Sequence, residues 1–489
     1  MRRALAPLAL SALLAGCIEL APGYHRPPMP TPAAFPTGPA YPPAGPAQPA
    51  VGWRDFFSDP KLSTVIEQAL ANNRDLRVAV ANVAVARAQY HVQRAYLFPT
   101  IDATASATYL HEPASVVGGG AFPGAGSGAF NEKLFSLTAG TSAYQLDLFG
   151  KVRDLSRAAQ ARYFATRQAR DAAQISLVSE VAADYLALGA DRAQLAIAED
   201  TLKSGEASLD LVRRRFGVGV DSQLDLSQAD TIVQQSRFDV ARLTTQIAQD
   251  RNALDLVVGA PVADDLLPTD AGAPVVVLAR LPSALNSRVL LARPDVLEAE
   301  DQVRADNLDI GAARAAFFPS IGLTGDGGLT STALSALFRG ASATWGFAPT
   351  VSQTLIDAGI NRGNLDVAKA QRDIGVATYE KAIQTAFREV ADALAQRGTI
   401  DQQLIAQQSL TDAAATSMRI YGARYQQGSD TYQNFLIAER SYYAARQTLV
   451  ATELARQTNL VTLYAVLGGG LDRPAPAPPD GTDPAARPR

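Results

Sequence analysis

The chain is 489 residues long and carries 44 Lys and Arg against 48 Asp and Glu, a formal charge of −4 that offers no basic footprint for nucleic acid. One Cys excludes a disulfide framework and a thiolate zinc site, and three scattered His (His25, His91 and His111) speak against a histidine-rich metal centre. No window holds about 18 uninterrupted apolar residues, so no transmembrane helix is expected, and an apolar content of 47% excludes global disorder.

The chain begins Met1-Arg2-Arg3, continues through an apolar run over residues 4–14, and reaches Ala15-Gly16-Cys17. A basic start, a short apolar core and small residues before a cleavage point read as a secretory signal over residues 1–16. Leu14-Ala15-Gly16-Cys17 resembles a bacterial lipobox. That resemblance implies cleavage before Cys17 and acylation of its thiol and new amino group; the alternative is a plain signal peptide with an incidental Cys. Several acyl chains on one residue bury enough methylenes for firm anchoring. Ile18, rather than Asp, follows the Cys, which is similar to the outer-membrane sorting pattern. Residues 17–52 are rich in Pro, Ala and Gly and read as a lipid anchor followed by an extended tether, mostly polyproline II or irregular.

Residues 53–467 contain an internal repeat. Phe98-Pro99-Thr100-Ile101 returns as Phe318-Pro319-Ser320-Ile321, an offset of 220. Arg215-Phe216-Gly217-Val218-Gly219 returns as Arg424-Tyr425-Gln426-Gln427-Gly428, an offset of 209. Gly150 and Arg153 match Gly359 and Arg362 at 209 as well, so the second copy is 11 residues shorter. The loss falls between about residues 102 and 150, where Gly118-Gly119-Gly120 and Gly124-Ala125-Gly126-Ser127-Gly128 mark an exposed loop. Copy one spans 53–265, with a helix, a β-hairpin over about 100–148 and a long helical hairpin over about 150–258. Copy two spans 266–467, with a helix, the hairpin over about 319–355 and the long helices over about 360–467. Residues 468–489, with Pro474, Pro476, Pro478 and Pro479, read as a disordered tail.

The strands alternate with period two. Ile101, Ala103, Ala105, Ala107 and Tyr109 point one way, against Asp102, Thr104, Ser106 and Thr108. Phe135, Leu137, Ala139 and Ala143 oppose Ser136, Thr138 and Ser142. In copy two, Ile321, Leu323 and Leu329 oppose Ser320, Thr324 and Asp326, while Trp345 and Phe347 oppose Thr344 and Gly346. The apolar face meets either a soluble core or lipid; the pattern alone leaves both open. The helices say more. Val181, Leu188, Leu195, Leu202, Leu209 and Phe216 recur every seven residues, as do Leu226, Val233, Val240, Ile247 and Leu254, which describes a supercoiled seam. Residues 150–216 contain no proline, and one continuous helix there is roughly 100 Å long. Such a rod suits a coiled coil, a tube or a spanning scaffold. Two hairpins supply four strands, too few to close in lipid, and each backbone group left open there costs several kcal/mol. If the strands meet lipid, the chain must oligomerise.

Cys17 in its lipobox, the duplicated hairpin-plus-helices unit and the paired glycine turns together resemble the TolC-like outer-membrane efflux proteins, and the lipobox favours their lipidated NodT-type subgroup. The resemblance covers about residues 53–467. It implies a mainly α fold with a membrane β-barrel: a homotrimer with a 12-stranded barrel continued by a periplasmic α-helical barrel. It also implies a channel, not an enzyme, in the outer membrane of a Gram-negative bacterium, serving as the passive exit duct of a tripartite efflux system for small molecules such as drugs. The partners implied are a periplasmic adaptor protein and an inner-membrane pump of the RND type. No cofactor is expected beyond the covalent lipid on Cys17, and no metal or nucleic acid. An exit duct for one-step protein secretion and a helical periplasmic lipoprotein scaffold without a pore are the alternatives.

The two tips are the candidate sites. Gly219 and Gly428 permit the turns that reverse each helical hairpin. Ser222-Gln223-Leu224-Asp225 has the spacing of a capping box, with Thr431 to Asn434 as its counterpart. On that reading Asp221, Asp225, Asp430 and Asn434 cap helices. The resemblance implies a gate instead: the position six after each tip glycine, here Asp225 and Asn434, lines the constriction, and the constricting tyrosine falls on Tyr425. Asp430 stands where some members carry a basic residue, so a lock built on that residue does not transfer. If Asp225 faces a lumen, a symmetric ring of carboxylates attracts cations and is blocked by multivalent ones. Catalytic patterns are weak: Ser58-Asp59-Pro60-Lys61 lacks the companions of a serine hydrolase and reads as a helix cap, and Pro113 after His111-Glu112 prevents a metalloprotease helix. Arg213-Arg214-Arg215 reads as a solvated face or adaptor contact.

Overall fold

The computed structural model describes residues 19–42, 52–112, 130–269 and 286–469. Cys17, the glycine-rich interval between the first two strands and the tail beyond Gly469 lie outside the described residues. The elements in chain order are α1 (Trp53–Phe56), α2 (Pro60–Asn72), α3 (Arg74–Ala95), β1 (Asp102–Glu112), β2 (Phe130–Leu146), α4 (Lys151–Gly217) and α5 (Gln223–Val258). The second copy supplies α6 (Pro294–Ala315), β3 (Ser320–Ser331), β4 (Ala343–Ser352), α7 (Ile360–Gln426) and α8 (Tyr432–Val466). The helices α4 and α7 each run 67 residues without interruption. No helix among the described residues is long and apolar enough to cross a membrane.

The chain divides into two compact units that do not follow the repeat boundary. One comprises residues 1–26, 84–164 and 301–377; the other comprises 27–83, 165–300 and 378–489. Each unit therefore draws on both copies.

The first unit contains the sheet, in the order β1-β2-β3-β4 with antiparallel neighbours throughout. Its two hairpins meet at β2 and β3, so β1 and β4 are the edges. Ala105 pairs with Leu137 and Leu137 with Leu329, which puts the apolar residues of the strands on one face. The other face carries hydroxyls, with Ser106 and Ser136 in contact at 2.7 Å. The alternation expected through Ala143 fails at one place. Between Thr141 and Tyr144 the register with β3 slips by one residue, so Tyr144 pairs with Leu323 and Leu146 with Ile321. This bulge moves the apolar face from odd to even positions. Tyr144 and Leu146 take it over, and the Tyr144 hydroxyl donates to the Leu97 carbonyl at 3.0 Å.

The second unit has its main core where α1 and α2 pack on the long helices. Trp53, Phe56, Leu62 and Ile66 meet Val181, Tyr185 and Leu188 of α4, Leu254 and Val258 of α5, and Tyr464 of α8. The Ser58–Lys61 segment is a cap: the Asp59 side chain accepts from the Lys61 backbone N–H at 2.8 Å, and Pro60 opens the helix. Of the heptad positions, Val181, Leu188, Leu209, Val233 and Leu254 are buried, Leu195, Leu202, Leu226, Val240 and Ile247 are half-buried, and Phe216 at the end of the first series is exposed.

The tether is extended but docked. In the first unit, Arg314 donates to the Leu20 carbonyl at 2.9 Å and Asn307 to the Pro22 carbonyl at 2.6 Å. Ala21 sits against Gly311 so closely that a Cβ there would lie 2.8 Å from the Ala21 Cα. In the second unit, Ala34 bridges to Asn286, Phe35 stacks on Phe387 at 4.8 Å, and Ala40 covers Gly398. Two glycines on different helices thus form notches for a segment whose composition reads as free chain.

Candidate functional site

Each long helix ends in a turn built from the same parts. The Gly219 N–H donates to the Phe216 carbonyl at 2.9 Å and the Gly428 N–H to the Tyr425 carbonyl at 3.0 Å. The glycines have φ of 78° and 73°, left-handed values that a side chain disfavours. An arginine six residues before an aspartate then closes each loop. The Arg215 Nε lies 3.1 Å from both carboxylate oxygens of Asp221, and the Arg424 Nε lies 3.4 Å from Asp430. Arg215 and Arg424 stand at the repeat offset, as do Asp221 and Asp430.

Beyond that frame the tips diverge. At the first, the Tyr425 hydroxyl donates to Asp221 at 2.6 Å. The Arg215 guanidinium lies over the Tyr425 ring, 4.7 Å from its centre. Tyr425 is 4% exposed, packed with Tyr432 and Phe435 in a core that includes Leu209, Val212 and Val233. Burial raises its hydroxyl pKa first, and the hydrogen bond to the Asp221 carboxylate adds to it. The expected constricting tyrosine is therefore a buried bolt between the two helical hairpins in this chain, because its ring has an aromatic pocket to fill and its hydroxyl a carboxylate to meet. Its counterpart Phe216 is 39% exposed and lacks a hydroxyl.

At the second tip, Asp430 accepts from the Thr431 backbone N–H at 2.9 Å and from the Asn434 side-chain amide at 2.8 Å. The Asn434 hydrogen bond, then the Thr431 N–H, with a further contribution from Arg424, holds the Asp430 carboxyl below its usual value.

Ser222 and Asp225 form the expected capping box. The Asp225 N–H donates to the Ser222 hydroxyl at 3.2 Å, and the Ser222 N–H donates to the Asp225 carboxylate at 2.9 Å. The counterpart does not form. Thr431 is the N-cap of α8 but makes no side-chain cap, and Asn434 reaches back to Asp430 instead. The Asp430 carboxylate takes the Thr431 backbone N–H that a capping box would give to the Asn434 side chain, and the Asn434 amide donates to the same carboxylate oxygen. The five candidate side chains thus fall into separate groups: Tyr425 with Asp221, Asp430 with Asn434, and Asp225 with Ser222.

Sequence reasoning put Arg215 on a solvated face or adaptor contact, whereas it turns in to Asp221, and it gave Arg424 no role. The signal was present in the Arg-x5-Asp spacing repeated at 209 residues. It also missed Tyr432 and Phe435, which replace Gln223 and Leu226 of the first copy and build the aromatic pocket. In the Arg213–Arg215 run only Arg215 turns inward; Arg214 pairs with Asp210 at 2.6 Å on an exposed face. Among the described residues no group of three or more His, Cys, Asp or Glu could hold a metal ion.

The model of the outer membrane efflux protein family matches residues 65–260 and 285–469. The chain is 44% identical over 476 residues to the toluene efflux pump outer membrane protein TtgC of Pseudomonas putida, with 96% of each chain covered. It is 38% identical over 479 residues to the cation efflux system protein CusC of Escherichia coli, covering 95% of this chain and 99% of that one. Among solved structures, the open state of the Neisseria gonorrhoeae MtrE outer membrane channel matches with a TM-score of 0.82 at 35% identity. The match covers 92% of this chain and 98% of that one.

Proposed function

The chain belongs to the outer membrane efflux protein family, and on that premise we propose that it is the outer-membrane exit duct of a tripartite efflux system. It is a transport channel of the Gram-negative outer membrane rather than an enzyme. Its cargo is small molecules delivered by an inner-membrane pump, of the RND type, through a periplasmic adaptor.

The observation that carries this reading is the sheet. Four strands with an apolar face and two open edges are one segment of a wall, not a closed structure. In hydrocarbon every edge must be paired, so β4 of one copy needs β1 of another. Three copies supply twelve strands, which exceeds the about eight that the smallest membrane barrels use. A homotrimer closes that ring by rotation. Lipid on Cys17 would hold the N-terminus at the same membrane.

The tips are the gate in this reading. Tyr425 ties the second hairpin to Asp221 of the first, and Arg215 holds both. Opening must break or displace that link. Asp225 and Asn434, at the matched positions beyond the glycines, line the constriction, and a threefold ring of Asp225 carboxylates favours cations and is blocked by multivalent ones.

Purified protein in a planar bilayer tests the duct. The expected result is single-channel conductance from a heat-sensitive oligomer three times the chain mass. A stable, water-soluble single chain without conductance would overturn it.

A further inference from the structure

The repeat fixes how its two copies touch within one chain. In the first unit, α4 of copy one packs on α6 of copy two: Ala158 and Ala161 meet Ala305, with Leu308 beside them. Nearer the sheet, Gly311 of α6 lies so close to Asp154 of α4 that a Cβ there would overlap the carboxylate. Arg162 pairs with Asp309 across the same seam. In the sheet above, Leu146 of copy one pairs with Ile321 of copy two.

Copy two has no third copy in its own chain on which to repeat this contact. The offsets of 209 for the long helix and 220 for the short one name the matching positions: Val367 and Ala370 on α7, Val85 and Ala88 on α3. All four are exposed, Val85 at 54% and Val367 at 68%. Val85, Ala88 and Val92 share one face of α3, as Gly363, Val367 and Ala370 share one face of α7. By contrast, Ala305 and Ala312, the matches of Val85 and Val92 on α6, are buried. Ile101 and Leu355, the matches of Ile321 and Leu146, are exposed too. The bare apolar positions thus continue from α3 to β1 along one margin and from β4 to α7 along the other.

We infer that α7 of one chain packs on α3 of the next, repeating the α4–α6 seam between chains, with His91 seated in a notch at Gly363. The inference rests on the homotrimer read above and names the helical contact that closes it. At the inner seam the bulk stands on α4 and the notch on α6, as Asp154 against Gly311. At the matching positions the two are exchanged. A Cβ on Gly363 would meet nothing within 4 Å, and His91 is exposed. Ala158 and Leu308 likewise return with their sizes exchanged, as Val367 and Ala88. One large and one small residue at each level keep the helix spacing alike at both seams, so the ring closes in equal steps. The ion pair of Arg162 and Asp309 is replaced by Gln371 and Gln89, which makes the seam between chains neutral where the inner one is ionic.

The first test is paired cysteine substitution in the full-length protein in outer membranes. Val85→Cys with Ala370→Cys puts thiols at the matches of Ala305 and Ala161, where small side chains let the helices approach closely enough for a disulfide. Oxidation should give two- and three-chain bands that a reductant removes. They should be absent from either single variant, which controls for Cys17. They should also be absent from Arg87→Cys with Ala370→Cys, since Arg87 lies about 200° round α3 from Val85.

The notch supplies the second. Gly363→Leu should leave helix content unchanged, because the added side chain meets nothing within its own chain. It should nevertheless lower the temperature at which the oligomer dissociates on a gel by roughly 10 °C, and His91→Ala added to it should restore most of that loss. Light scattering on the parent separates the two readings. A single chain would overturn the seam and the duct together. An oligomer that lacks the cross-link, an equal cross-link in the Arg87→Cys control, or an unmoved dissociation temperature in Gly363→Leu would overturn the seam and leave the duct standing.

Discussion

The two tips are copies of one sequence pattern, yet they are held by different physics. Both turn on a left-handed glycine and both close with an arginine six residues before an aspartate. At the first tip, the Asp221 side chain is 7% exposed, pairs with Arg215 and receives the Tyr425 hydroxyl from the other copy. At the second, the Arg424 side chain is 54% exposed and the bridge to Asp430 is long. One tip is a buried link between hairpins; the other is a solvated loop that braces only itself. Duplication supplied the frame, and the hydroxyl of Tyr425 against Phe216, in a pocket of Tyr432 and Phe435 against Gln223 and Leu226, set where the link forms.

The sharpest way to break this contrast is to remove the arginines one at a time. Arg215→Ala leaves Asp221 without its cation and Tyr425 without its stacking partner. A loss of about 2 kcal/mol of local stability is expected, toward the lower range for broken buried pairs because Arg215 is partly exposed. It should appear as roughly 30-fold faster hydrogen exchange at the first tip and as raised conductance in a bilayer. Arg424→Ala should change local stability by less than about 1 kcal/mol, in line with exposed pairs. Equal effects would dissolve the distinction.

The glycines test the shared frame. Gly219→Ala and Gly428→Ala each force a side chain into the left-handed region, at about 1 kcal/mol. Chemical denaturation of the tips, followed by exchange, should give matching losses for the two. The caps sharpen the contrast again at a smaller scale. Ser222→Ala removes a formed capping box and should cost about 1 kcal/mol in α5. Thr431→Ala removes a side chain that caps nothing, so exchange across the start of α8 should stay unchanged.

The smallest effect expected is a pH dependence of the second tip. The Asp430 carboxyl is held below its unfolded value by Asn434 and the Thr431 N–H. Its contribution is therefore present above the unfolded carboxylate pKa of about 4 and is lost as pH falls through the lower folded value. Exchange at residues 428–434, corrected for intrinsic rates, should accelerate only under acid conditions, and Asp430→Asn should remove the pH step.

Long-range order in this chain was legible wherever it rested on local repetition. The heptads and the proline-free run place the first long helix over residues 150–216, and the structure runs it from Lys151 to Gly217. What escaped were contacts that join unlike positions. Tyr425 meets Asp221, and Tyr443 meets Asp239, each across 204 residues; neither pair stands at the repeat offset, so comparing the copies cannot reveal it. The bulge at Thr141 was hidden because Ala, Ser and Thr fill both faces of β2, and Ala143 keeps the alternation looking intact. The docked tether was hidden for another reason: its partners are absences of side chain, at Gly311 and Gly398 on different helices. Glu439 is buried although its match at the repeat offset, Asp230, is exposed, since burial of one carboxylate on a long helix depends on which neighbours arrive.

The uncovered margins of the sheet also bear on how the cell must handle the newly made chain. β1 and β4 each present a row of backbone donors and acceptors beside an apolar face that includes Trp345 and Phe347. A copy that has not found its siblings is an adhesive template, open to any extended polypeptide it meets. Overproduction should therefore precipitate it in steep proportion to dose, and productive assembly should depend on an escort that masks those borders between export and insertion.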